Sequence, residues 1–316
     1  MADTFVSTNY NGELDEYLYK VLGLGAQTAE KGGYHLIPDV NMKQELDFVE
    51  TTEDPMTDYT DDTPSTGATA TTMKKRELSP LKFTVWGQIT PSAWLPIWRK
   101  YRSIGTLTQL SANPQFLRDV FELVKNASAR QLDKLFWQGD TTAGAASPLR
   151  FFDGIIKKLE ADSDSNVIFI TPAGTITKSN IVSILEAFYA AIPNKFFDDP
   201  DFRIHMNTGD FKLLQYFNND VKKTTFGVLD QTISRLFLEK RIEHFNNIPA
   251  SKIVGAKTSS AANSNLVLGM YASLESELMG LKIEKKDLSN ITRYRFDGMA
   301  DTQYRFGGDI VYYKPV

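Results

Sequence analysis

The sequence predicts an α+β fold, and three observations carry that expectation. Residues 113–137 hold one long amphipathic helix pattern. Residues 166–220 alternate short apolar runs with helical spacing. Residues 252–316 break into closely spaced strand segments. With 316 residues the chain is long enough for a sizeable core, as one large domain or two to three small ones.

Residues 1–50 read as an arm. Asn11 is placed to cap a short helix whose apolar positions are Leu14, Tyr17, Leu18 and Val21, ended by Gly23 and Gly25. A helix of three turns is marginal alone and needs a surface to lie on. The following KGGYHLIPDV is extended, with Pro38 inside it.

Residues 51–77 have almost no large apolar side chain. The first half is acidic, with Glu53, Asp54, Asp58, Asp61 and Asp62. A threonine-rich run follows, and the segment ends basic at Lys74, Lys75 and Arg76. No packed core can use this composition. Two readings stand: a disordered linker, or a long two-stranded excursion whose feet carry opposite charges that pair across it.

Phe83, Val85 and Ile89 then show the period-two alternation of a strand, feeding a bend rich in proline and tryptophan. Trp86, Trp94 and Trp98 are expected to be core residues or interface anchors. Asn113 caps and Pro114 opens the long helix, in which Phe116, Leu117, Val120, Phe121, Val124, Leu132, Leu135 and Phe136 recur at helical spacing until Gly139. At 25 residues it would run about 37 Å.

A glycine- and alanine-rich loop leads to a shorter helix carrying Phe151, Phe152, Ile155, Ile156 and Leu159. Residues 167–170 and 202–206 read as strands. A helix through Ile176, Ile181, Ile184, Leu185 and Phe188 ends at Pro193, and another carries Phe211, Leu214 and Phe217 after the turn at 207–210. Residues 232–242 fit strand or helix equally. Beyond 252, strands are expected at 252–257, 266–269 and 281–285. Three further short ones lie between 292 and 313, with Asp297-Gly298 and Gly307-Gly308 as turns, forming an antiparallel sheet.

Composition excludes several kinds of chemistry. The chain has no cysteine, which removes disulfides and thiolate catalysis. Its three histidines, His35, His205 and His244, have no partner at metal-ligand spacing. Net charge is −4, from 35 basic and 39 acidic residues, with no long basic run of the kind that grips nucleic acid. The polar, acidic start lacks a signal peptide's features and no segment is apolar enough to span a bilayer, so a soluble protein is expected. No phosphate loop, dinucleotide fingerprint, nucleophile elbow or zinc-protease pair occurs; GlyLeuGly at 23–25 lacks the third glycine. The cluster Asp58, Asp61, Asp62 lacks a calcium-loop pattern and reads as a solvated face, and Asp162–Asp164 and Asp198–Asp199 lie in turns. No catalytic, cofactor or metal residues are assigned, and no enzyme activity is expected.

The order of elements resembles the major capsid protein of tailed double-stranded DNA bacteriophages, the Hong Kong 97-like fold. Asp39 through Lys75 is similar to the end of that family's N-terminal arm and its extended loop, and Pro91 through Trp98 to the join with the spine. Asn113 through Trp137 is similar to the spine helix, and TrpGlnGlyAsp at 137–140 to the step after it. AlaPheTyrAlaAlaIlePro at 187–193 and HisMetAsn at 205–207 are similar to parts of the axial domain, spanning Asn166 to Asn247. AsnLeuValLeuGly at 265–269 and the segment from Arg293 to Tyr313 resemble the return to the peripheral domain. The resemblance divides the chain into an arm (1–50), an extended loop (51–90), a peripheral domain with the spine helix (91–165), an axial domain (166–250) and a C-terminal return (251–316).

The resemblance implies a structural subunit that assembles with itself, through pentamers and hexamers, into an icosahedral capsid around double-stranded DNA. It implies a scaffolding protein, a portal and a maturation protease as partners, no cofactor, and a place in the virion after assembly in the host cytoplasm, encoded by a phage or prophage. Only about 40 residues precede the loop, too few for the cleaved assembly domain of some members, so any scaffold is separate. Some members cross-link a loop lysine to a distant asparagine; Lys74 or Lys75 and Asn290 are what this chain offers, without a flanking signature. Two rivals stay open: the shell of an encapsulin-like nanocompartment holding cargo protein, and an unrelated α/β enzyme.

Overall fold

The computed structural model describes residues 7–9, 27–40, 42–50, 72–89, 114–161, 167–170, 174–226, 236–271, 280–286 and 291–315. In chain order the elements are β1 (Ser7–Asn9), α1 (Gln27–Glu30), β2 (His35–Ile37), β3 (Gln44–Glu50), β4 (Thr72–Leu78), β5 (Leu81–Ile89) and α2 (Pro114–Gln138). Then come α3 (Ile155–Glu160), β6 (Ile168–Phe169), α4 (Ile181–Ala190), β7 (Phe202–Asn207), α5 (Thr208–Phe226), β8 (Leu236–Phe237) and β9 (Lys240–Phe245). The chain closes with β10 (Ile253–Lys257), β11 (Leu266–Tyr271), β12 (Gly280–Lys286), β13 (Ile291–Tyr304) and β14 (Val311–Tyr313).

The long helix forms as its signals predict, 25 residues from Pro114 to Gln138. It stops because the chain must double back through a narrow gap. Gly139 N–H bonds to the Leu135 carbonyl at 2.8 Å, and Gly154 N–H to the Gly139 carbonyl at 2.8 Å. A Cβ on Gly139 would stand 2.2 Å from the Phe152 carbonyl oxygen, so only glycine allows this crossing. The next helix therefore begins at Ile155 rather than at Phe151. Phe152 is fully buried in the turn before it.

One sheet is organised on β13. Its 14 residues hold β12 and then β11 along one side and β5 along the other. Tyr294 lies between Ile283 and Gly87, and Met299 between Tyr271 and Lys82. β1 pairs with β12, and β2 runs parallel to β11. The expected turn at Asp297-Gly298 is instead the middle of this strand. Asp297 accepts hydrogen bonds from Thr84 Oγ1 at 2.6 Å and Arg295 Nε at 3.0 Å. Gly298 lies under Phe83, whose Cζ would be 2.7 Å from an added Cβ. Cross-strand packing against β5 overrides the local turn preference. Gly307-Gly308 does turn, in a 3₁₀ segment before β14.

The second sheet has the order β6-β14-β10-β7-β9-β8. It is mixed: β14 with β6 and β7 with β9 are parallel pairs. Residues 232–242, open in the sequence, end in the strands β8 and β9. One face packs on α4 and α5 through Ile184, Leu185, Phe188, Phe211 and Leu214. The other joins Val254, Ala256, Phe245 and Tyr312 to Phe136, Trp137, Ile155 and Leu159. Both faces are thus covered. This corrects the expected grouping of 251–316 into one terminal sheet. β10 and β14 lie past residue 250 yet belong to this second sheet, because Ile253, Val254, Val311 and Tyr312 are buried on both faces and need a sheet covered on both sides.

The N-terminal region also departs from expectation. The helix around Leu14 and Leu18 lies outside the described residues. Tyr34 and Val40 are each 2% exposed, so both side chains lie in the body of the chain itself, one of the two supports open to the arm. The boundary at 50 moves as well, since Gln44–Glu50 is already the outgoing strand of a hairpin.

Candidate assembly surface

β3 and β4 form an antiparallel ladder from Gln44↔Leu78 to Glu50↔Thr72. Of the two readings of the polar segment, this favours the two-stranded excursion at its feet; residues 51–71, with the acidic cluster and the threonine run, lie outside the described residues. Opposite charges do pair at the feet. Lys75 Nζ meets Glu45 at 2.6 Å and Lys43 meets Glu77 at 2.5 Å. The partners are Glu45 and Glu77, which the sequence did not single out. Glu45 is held below the ordinary glutamate range by its hydrogen bond from Lys75. These pairs are about half exposed and contribute little to stability.

What fixes the hairpin root is apolar contact and backbone bonding. Leu46 and Leu78 pack with Val40 and Val267 in a separate small core. The Arg76 guanidinium lies 4.0 Å above the Tyr304 ring, and its Nε donates to the Arg305 carbonyl at 3.2 Å. Gln303 Nε2 donates to the Glu77 carbonyl at 2.9 Å. Ser79 N–H donates to Asp301 Oδ2 at 2.8 Å, and Lys158 meets the same carboxylate at 2.8 Å. Burial raises the Asp301 pKa against the pull of Lys158. Nothing in the local pattern marked Asp301, one of two acids within β13.

Beside the root, β5 and α2 enclose a cleft of about 670 Å³, counting its open mouth. Phe83, Val85, Trp86, Leu132, Leu135 and Gln131 are among its walls. Trp86 is 68% exposed. Of the three tryptophans expected in core or interface, it is therefore not a core residue, while Trp94 and Trp98 lie outside the described residues.

The step after the long helix is a polar clamp. Lys157 Nζ bridges Asp140 at 2.6 Å and Asp153 at 2.7 Å. Its hydrogen bond, with those of Thr142, holds Asp140 down at about 2. The three histidines are dispersed. His35 Nδ1 contacts the Ser260 carbonyl at 2.8 Å, and His244 stacks on Phe211 at 4.7 Å. His205 is fully buried, its Nε2 3.2 Å from Thr258 Oγ1. Burial, with Arg203 and Lys31 nearby, pushes its pKa down to about 3. Among the described residues no group of three histidines or carboxylates could hold a metal ion, and no helix is long and apolar enough to cross a membrane.

No family model matches this sequence, and no curated protein does. Solved structures match the fold along nearly its whole length. A chain of the satellite phage P4 procapsid, solved with its size determination protein, superposes with a TM-score of 0.63 at 12% identity, covering 98% of this chain and 93% of that one. The cyanophage A-1(L) capsid gives 0.54 at 10% identity, with 100% and 97% covered. The capsid of the empty GTA particle gives 0.52 at 9%, with 89% and 93% covered. The chain has an α+β fold resembling the Hong Kong 97-like capsid proteins.

Proposed function

We propose that this chain is a shell-forming structural subunit, the wall of a phage capsid, and that it catalyses no reaction. The observation that carries the reading is the coverage: the likeness to capsid chains spans 98–100% of this chain and 93–97% of theirs. In this reading α2 is the spine, the sheet on β13 and its helices form the peripheral domain, and the second sheet with α4 and α5 is the axial domain. The hairpin on β3 and β4 extends each subunit over a neighbour.

A polar excursion opposes folding through closure and ordering entropy. Its root is nonetheless held by four buried apolar residues and an Arg76–Tyr304 stack. A firm root under a polar extension suits contact with another subunit. Rings of five and six would come from heterologous contacts that close, and assembly would add stability by mass action. The shell would enclose double-stranded DNA without sequence-specific binding, in keeping with a net charge of −4. A separate scaffolding protein, a portal and a maturation protease would be the partners, and the virion the final location.

Electron microscopy of the purified protein, made alone and with its phage partner proteins, tests this reading. Closed shells or rings of five or six are expected. A compact dimer that stays dimeric at high concentration with those partners present would overturn it. So would particles filled with a cargo enzyme and free of nucleic acid.

A further inference from the structure

Among the described residues β5 has the longest strand edge left unmatched, ahead of the outer edges of β3 and β4. β5 spans nine residues, and among the described residues its only strand partner is β13. Edges of this length are templates for another strand, and proteins usually blunt them with proline, a bulge or inward charge. Residues 81–89 contain no proline and one charge, Lys82. Two large apolar side chains stay in solvent on this strand, Trp86 at 68% and Leu81 at 46%. The apolar cleft against α2 runs along the same strand.

We propose that β5 is a two-fold docking edge, where a second copy of this chain adds its own β5 antiparallel in a register centred on Val85. The nine residues are self-complementary in that register. Leu81 stands opposite Ile89 of the second copy, and Lys82 opposite Gln88, so no like charges oppose. Phe83 meets Gly87, a large side chain against none. Thr84 meets Trp86, and Val85 meets itself on the axis. No like charges oppose and Phe83 faces a residue without a side chain, which favours a second copy over a foreign strand. Trp86 and Leu81 lose their exposure, and the two clefts are brought side by side. The pairing does not depend on the shell reading, although closed shells contain two-fold axes at which it would sit.

The absence of cysteine makes the test direct. Directly opposed residues of an antiparallel pair have Cα atoms about 4.5–5.5 Å apart, within disulfide reach. Lys82 and Gln88 are exposed surface positions. The double variant Lys82→Cys/Gln88→Cys, mildly oxidised in the full chain, should run mostly as a covalent dimer on a non-reducing gel and revert with reductant. Each single variant should show no covalent dimer on that gel, because residue 82 lies roughly 20 Å from its own copy across the axis, and residue 88 likewise. Val85→Cys alone should cross-link to itself. No dimer from the double variant, or single variants at 82 and 88 that dimerise as well as the double, overturns the proposal. Shells without the cross-link would remove this pairing and leave the shell reading intact; cross-linked dimers that never form rings or shells would do the reverse.

Discussion

The indole N–H of Trp137 donates to the hydroxyl of Thr28 at 3.0 Å, joining residues 109 positions apart in the chain. Thr28 N–H donates in turn to Asp133 at 3.3 Å, and Asp133 accepts from Asn247 Nδ2 at 2.7 Å. α1, the end of α2 and the segment after β9 are tied by this one network. Thr28, Asp133 and Trp137 are all buried. Thr28→Val keeps the shape and leaves the indole N–H without its acceptor. A loss of about 1–3 kcal/mol in urea unfolding is expected. A loss below about 0.5 kcal/mol would mean that the N–H finds another acceptor.

His205 sets a pH dependence. Its native pKa is pushed down to about 3, from the ordinary histidine value of 6.5, by burial and by Arg203 and Lys31. The other groups against it are Trp137, Phe245 and Thr258. The native state keeps the ring neutral while the unfolded state gains a proton below 6.5. Stability is therefore full above that pH and falls as pH drops toward 3, by up to about 1.4 kcal/mol per pH unit. Asp133 and Asp210, raised by burial, act in the opposite sense at low pH. The clean readout is therefore the difference between the parent and His205→Gln at pH 7.5 and 5.5. The parent should lose more stability over that interval; equal losses would show that His205 is charged when folded.

The elements that a reader of the sequence finds are those whose own residues decide them. Pro114 and the spacing from Phe116 to Phe136 are enough for the long helix, and Phe83 and Val85 for β5. Strand partners are another matter. Nothing local in residues 253–257 says that they pair with β7 and β14 rather than with β11, because that choice is made by helices packing on both faces of the sheet. Asp297-Gly298 has the chemistry of a turn and is a strand because Thr84 and Phe83 lie across it. At the candidate surface the opposed charges of the hairpin feet were legible in kind. Their partners were not, and neither were Leu46 and Leu78, since lone apolar residues in a charged segment make no periodic signal.

Those two leucines separate what anchors the hairpin from what decorates it. Leu78 is fully buried and Leu46 is 7% exposed, both against Val40 and Val267. Leu78→Ala removes buried methyl groups and leaves a cavity at the point where β4 leaves the body, at a cost of about 2–5 kcal/mol. Amide hydrogen exchange across 44–50 and 72–78 should rise with it, since the ladder keeps its own bonds but loses its hold on β11. Lys75→Ala removes the 2.6 Å pair with Glu45 from an exposed site. It should change stability by less than about 1 kcal/mol and leave exchange in the ladder unchanged. Salt would weaken the lysine's contribution and not the leucine's. If Lys75→Ala raised exchange as much as Leu78→Ala, the hairpin would be held by its charges, and the small core around Val267 would not be its anchor.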